Sequence, residues 1–300
     1  MPSSLYDLYL KSLNPSAWWK LADPVGSGVA ADSSGNGWIG TVNGAVTFGQ
    51  PGPLAGNSSA LFNGTSGNVT SALSSGALVS FTAMGWISPT AMSGNPDLIT
   101  ARSAGNADGV IINPNSDGTV SFGATVYNSN NSYAFESTHR PLNAWYFAVA
   151  SYSATAGMFL YVNGAMSFSE PTWTGPSTLA ANWEIAGGYN GAHHPDGSIA
   201  EIAVFPRALS AAQIGQLYSL AGTPAKQFTT GTQRAYTLAD FLMQVNSDSQ
   251  QAVQPQLGEP VQVMAPLQEN LMPSDSVALS VLAPGTTWST ATYGEASCVA

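Results

Sequence analysis

Between Asp196 and Leu220 the chain reads DGSIAEIAVFPRALSAAQIGQLYSL, and few folds accommodate that order of signals. Strict alternation along Ser198–Phe205 puts Ile199, Ala203 and Phe205 on one face and Ala200, Ile202 and Val204 on the other. A strand apolar on both faces belongs inside a layered structure, not at a wet edge. Pro206 has no N–H for a ladder and ends the strand. Ser210 and Gln213 then stand at capping-box spacing, with Leu209 and Ile214 placed as a hydrophobic staple. Ile214, Leu217 and Tyr218 give the helix one apolar stripe, and Gly222 is placed to end it. A buried strand turning at once into a short capped helix is the frame for the rest.

The composition narrows the class. With 31 Gly, 19 Pro and only 8% charged residues, a chain of 300 residues suits a turn-rich all-β core of ample size. A net charge of -10 with only 7 Lys and Arg, none clustered, argues against a nucleic-acid partner. Cys298 is the lone cysteine, which excludes an intramolecular disulfide and thiolate zinc sites. No stretch approaches the roughly 18 apolar residues of a membrane span. The opening MPSSLYDLYLKSL has no basic n-region and no continuous apolar run, so the expectation is a chain made and folded in a cytoplasm.

Residues 1–14 pair Ser4 with Asp7 as a capping box and space Leu5, Leu8, Tyr9 and Leu13 as a short amphipathic helix that Asn14-Pro15 stops. Trp18, Trp19 and Leu21 suit a strand, and Asp32–Gly37, DSSGNG, is a tight turn of Asx bonds and left-handed glycines. Phe81, Ala83 and Ile87 alternate against Thr82, Met84 and Trp86; Val120, Phe122, Ala124 and Val126 alternate inward against Thr119, Ser121, Thr125 and Tyr127. Asn143–Tyr152 and Met158–Gly164 form a strand pair, with Asn163-Gly164 a primed-turn signal. Beyond Gly222 the texture turns to Gln, Pro and small residues, with a second capping box at Thr237 and Asp240 and strand-like runs at Val261–Met264 and Val277–Leu282. Residues 223–300 hold too few large apolar side chains to offset their own chain entropy and are expected to form an extended arm that orders on a partner.

These motifs, in this order, resemble the laminin-G-like, concanavalin A-like jelly-roll domains. The closing Arg207-Ala208-Leu209-Ser210 with Gln213, Ile214, Leu217 and Tyr218 carries the resemblance, as do Phe81–Ile87 and the pair holding Trp145, Ala148, Tyr161, Asn163 and Gly164. The opening from Tyr9 to Trp19, followed by the DSSGNG turn, is similar to that of such domains in bacteriophage tail proteins; Lys20-Leu21-Ala22-Asp23 departs from the usual sequence after the Trp. The resemblance covers about residues 15–222. It implies an all-β, antiparallel two-sheet jelly-roll sandwich at 15–222, with the short N-terminal helix at 1–14 and the extended C-terminal arm at 223–300.

For chemistry the chain offers little. No run of paired carboxylates of the E-x-D-x-x-E kind is present, and Glu201 alone in the closing strand cannot supply both acid and base. No G-x-S-x-G elbow accompanies His139, His193 or His194, and adjacent histidines on a loop make a poor metal site without Asp196 or another chain. The expectation is a protein that is not an enzyme. The resemblance implies a structural calcium as the candidate cofactor, with oxygen ligands from Asp32, Asn36 and Glu201; the plainer expectation is that Asp32 and Asn36 cap their own turn. Ligand binding on the concave sheet or end loops would use aromatic rings stacked on sugar faces, for which Trp86, Trp173, Trp183 and Tyr189 are the candidates.

The expected function is that of a virion structural protein, a capsid decoration or minor tail or fibre protein, displaying the jelly roll. Other virion proteins are its expected partners through the C-terminal arm, self-association into a homo-oligomer is expected, and the expected location is the virion. The alternative is a lectin or adhesin module that binds host-surface glycans.

Overall fold

The computed structural model describes residues 4–222 apart from 77, 104, 129–130 and 189–193. In chain order it begins with α1 (Leu5–Ser12), β1 (Ala17–Trp19), β2 (Val29–Ala30), β3 (Gly40–Asn43), β4 (Val46–Pro51) and β5 (Ser58–Asn63). There follow β6 (Asn68–Ser74), β7 (Ser80–Ala91), β8 (Asp97–Ser103), β9 (Asn106–Pro114), β10 (Val120–Tyr127) and β11 (Asn131–Phe135). The chain then forms β12 (Tyr146–Ser153), β13 (Gly157–Val162), β14 (Ala165–Glu170), β15 (Asn182–Ile185), β16 (Asp196–Phe205) and α2 (Ala211–Ala221). The arm expected at residues 223–300, with its second capping box, lies outside the described residues, as do Tyr189 and His193.

All described strand pairs are antiparallel and fall into two sheets. The first runs β14-β13-β12-β7-β16-β5-β4 with β1 joined to β16; the second runs β11-β10-β9-β8-β15-β6-β3-β2. This is the two-sheet sandwich that the alternation along the strands implied. The core between the sheets holds Trp19, Phe81, Ile87, Phe122, Tyr152 and Trp183 among others. A second apolar cluster lies on the outer face of the first sheet, where Met84, Trp86, Phe147 and Phe205 meet Tyr6 and Leu10 of α1 and Ile214 and Leu217 of α2. Both capping boxes are formed, at Ser4/Asp7 and Ser210/Gln213. Asn163 and Gly164, both at positive φ, make the turn from β13 to β14.

Two expectations are corrected. Strict alternation grouped Ile199 with Ala203 and Phe205, but the β16–β7 register slips between Ala200 and Ala203, and Glu201 stands at φ +55°. A bulge adds one residue and exchanges the faces beyond it. Ile199 therefore joins Ile202 and Val204 between the sheets, while Ala200 joins Ala203 and Phe205 beneath the helices. On α1 the buried stripe is Tyr6, Leu10 and Leu13, and Leu8 is 50% exposed. Tyr6, Leu10 and Leu13 are also helically spaced. That face carries Asp7 too, whose Oδ2 accepts from Lys20 Nζ at 2.6 Å. Arg207 Nη2 donates to Leu13 O at 2.7 Å and fixes the end of the helix to the jelly roll.

Candidate functional site

The two sheets differ on their outer faces. The first is roofed by α1 and α2. On the second, no described helix packs against the outward side chains, and these divide into an aromatic zone and a polar trough.

The aromatic zone lies on β10 and β11. Phe122 and Ala124 point into the core, so Gly123 between them faces outward, opposite Phe135. A Cβ at Gly123 would come 2.5 Å from Phe135 Cδ1, so the glycine makes room for the ring on the sheet. Tyr133 lies two residues along the same face, 59% exposed, with its ring centroid 6.2 Å from that of Phe135 in an edge-on pair. Such a pair offers a broad apolar π surface to solvent.

The trough is built on β6, β15 and β8. Glu184 is opposite Thr70 on one side and Thr100 on the other. Asn68 Nδ2 donates to Glu184 Oε1. Gly187 leaves room for that carboxylate, since a Cβ there would come 2.7 Å from Glu184 Cδ. Burial raises the Glu184 pKa above its ordinary value, against the opposing Asn68 hydrogen bond. Asp97 has 0% exposure and is held by Arg102, whose Nε donates to Oδ2 at 2.6 Å and Nη2 to Oδ1 at 2.7 Å, and by Thr100 Oγ1 at 2.8 Å. An open depression of about 450 Å³ is lined by Thr70, Arg102, Ser103, Asn182 and Glu184 among others. Asn68 Oδ1 lies buried without a partner among the described residues. The face is thus able to stack a flat apolar surface at one end and to accept hydrogen bonds from hydroxyls at the other. With strands about 4.8 Å apart, β11 and β15 are separated by roughly 19 Å, which suits an extended ligand.

The residues singled out from the sequence are not brought together here. Trp86 does alternate outward from the core as expected, but it is 6% exposed, stacked against Phe147 at 5.1 Å and Tyr218 at 5.8 Å under α2. Trp183 is 2% exposed in the inter-sheet core, edge-on to Phe81 at 5.8 Å. Neither has a ring face open to a sugar. Trp173 is half-buried against the same core, and Tyr189 lies outside the described residues. Exposed Tyr133 and half-buried Phe135 are not among those residues, although the alternation in NSYAF carries them.

Of the three oxygen-bearing residues considered for calcium, Asp32 and Glu201 accept from protein donors and Asn36 donates to backbone carbonyls. Asp32 accepts from the backbone N–H groups of Trp18, Ser34 and Trp38 and from Ser34 Oγ. Partial burial pushes its pKa up, but these hydrogen bonds outweigh it and the net shift is downward. Asn36 Nδ2 donates to the carbonyls of Pro15 and Ser16. Glu201, with 0% exposure, accepts from Trp18 Nε1 at 2.7 Å and Asn57 Nδ2 at 2.8 Å. A cation at Asp32 or Glu201 would have to displace N–H donors, so the observed arrangement does not fit one. Among the described residues no group of three or more His, Cys, Asp or Glu side chains is placed to hold a metal.

A family model described as the concanavalin A-like lectin/glucanases superfamily, of laminin-G type, matches residues 62–215. The chain belongs to that superfamily. No curated protein matches the sequence. Among solved structures, the receptor-binding domain of botulinum neurotoxin type G is 16% identical with a TM-score of 0.52, covering 69% of this chain and 51% of that one. Domain 4 of AbnA, a GH43 extracellular arabinanase from Geobacillus stearothermophilus, solved with arabinotriose, is 16% identical with a TM-score of 0.51, covering 68% of this chain and 98% of that one. The binding domain of botulinum neurotoxin DC, solved with SialylT, is 15% identical with a TM-score of 0.50, covering 71% of this chain and 52% of that one. This superfamily member thus spans about half the length of the neurotoxin domains it resembles, and at these identities the likeness is one of fold.

Proposed function

We propose that this chain is a non-enzymatic binding module that presents the outer face of its second sheet to glycans. The observation that carries this is the pairing of exposed Tyr133 and half-buried Phe135 with the polar trough around Glu184 on the one sheet no described helix covers. Sugars present both an apolar C–H face and a rim of hydroxyls, and the two zones match those two features. Domain 4 of AbnA, solved with arabinotriose, and the neurotoxin DC binding domain, solved with SialylT, share the fold and lend the reading weight. Catalysis is not part of it. Of the two carboxylates on this face, Asp97 is held by Arg102 and Thr100, which leaves Glu184 without the free second carboxylate that glycoside hydrolysis uses. Tyr133→Ala tests the reading on a glycan array with the full chain. Dose-dependent binding that falls at least about fivefold supports it, and binding indifferent to the change refutes it.

The carrier we propose is a virion, with the module as a capsid decoration or a minor tail or fibre protein, held through residues 223–300 by other virion proteins or by copies of itself. What favours this over a free lectin is the opening that resembles bacteriophage tail domains. Trp18 and Asp32 from that opening are tied into the jelly roll, Trp18 to Glu201 and Asp32 to the Trp18 backbone. Particles assembled with a chain lacking residues 223–300 test the attachment: unchanged incorporation would refute it.

A further inference from the structure

The trough holds one strong cation, and its charge is already used. Arg102 makes a two-point pair with Asp97, whose carboxylate has no exposure and takes a third hydrogen bond from Thr100. Turning the guanidinium toward a ligand would leave that buried carboxylate uncompensated, which is strongly unfavourable. Glu184, in contrast, lines the depression with a single hydrogen bond from the described residues, the one from Asn68 to Oε1. The other polar side chains of the lining are Thr70, whose hydroxyl already takes Asn43 Nδ2 at 3.2 Å, Ser71, Ser103 and Asn182. His194, behind Glu184, is buried with its Nδ1 on Ala186 O at 2.8 Å, and it does not line the depression.

The trough is therefore lined by neutral polar groups and holds two carboxylates against one guanidinium, which is paired to Asp97, within a chain of net charge -10. From this we infer that the site takes uncharged, hydroxyl-rich glycans and rejects carboxylate-bearing ones, with Glu184 as the residue that sets the selectivity. This rests on the glycan-binding reading above. Neutral hydroxyls donate to Glu184. A sugar carboxylate meets Glu184 as a like charge and finds the guanidinium occupied, a repulsion that selects against partners.

The test is an array of matched glycan pairs, each a neutral oligosaccharide and the same chain ending in sialic acid, probed with the full-length protein at pH 7.5. The acidic member of each bound pair is expected to bind at least about tenfold more weakly than the neutral one, and the gap to shrink as salt screens the charge. Glu184→Gln keeps the size of the side chain and an oxygen for Asn68. Read as the ratio within each pair, whatever it does to neutral binding itself, it should narrow the gap to about threefold or less. Wild-type binding that ignores or prefers the carboxylate, or an E184Q gap equal to the wild type, overturns the selectivity while leaving glycan binding in place. Failure to bind any member overturns both readings.

Discussion

Replacing Glu201 with Gln should remove a pH-dependent weakness from the centre of the fold. The side chain has no solvent exposure, and burial is the main cause that lifts its pKa from the ordinary 4.5 to about 7. Asp7 adds to the lift, while Lys20 and the hydrogen bonds from Trp18 and Asn57 oppose it. Because the folded state holds the proton more tightly than the unfolded chain, the protein is most stable below pH 4.5 with respect to this group. Stability is then lost as pH rises from about 4.5 to about 7, and the loss is complete above that. Each pH unit of that interval is worth about 1.4 kcal/mol, so the total is about 3 kcal/mol. For a domain of this size that corresponds to roughly 6–12 °C in Tm. Asp108, lifted to about 6 chiefly by burial, and Glu184 act in the same direction, so the wild-type curve alone does not isolate Glu201. The decisive quantity is the difference between wild type and E201Q, followed by thermal unfolding from pH 4 to 8.5. Gln can still accept from Trp18 Nε1, and the Asn57 amide can turn so that its Oδ1 accepts from the new Gln amide N–H. The difference in Tm should grow in favour of E201Q across the interval and then level off. A difference that stays flat, or that grows below pH 4.5, would refute the assignment of this carboxyl as neutral in the fold.

Two other substitutions separate support from binding. Trp86→Ala removes the ring stacked between Phe147 and Tyr218 and should destabilise the domain by about 3–5 kcal/mol in urea unfolding, while the folded fraction keeps its glycan affinity. Arg102→Met leaves the Asp97 carboxylate buried with only Thr100 as a partner and should cost about 3–5 kcal/mol; Asp97→Asn in the same background should recover part of that loss, measured as a double-mutant cycle.

Much of the sandwich was legible because period-2 alternation is a local property. The inward set on β10 and the two faces of β7 follow the sequence residue by residue. What alternation does not reveal is what covers an outward face. Trp86 points away from the core as expected, yet its cover comes from Tyr218, which arrives from α2 far along the chain. The bulge at Glu201 was equally hidden: nothing in GSIAEIAVF marks one residue as extra until β7 fixes the register on both sides. The trough shows the same limit. Asn68 and Glu184 are 116 residues apart and become partners only when β6 and β15 pair. Tyr133 and Phe135 alternate locally, but in so short a run alternation does not tell which side of the strand lies open until β10 and β11 pair.

One asymmetry has a mechanical corollary. The helices that begin and end the described chain both lie against the back of the first sheet, and they touch one another. Residues 4–222 therefore enter and leave the jelly roll on one side, and a pull applied between those two helices loads the sheet that they roof and not the open one.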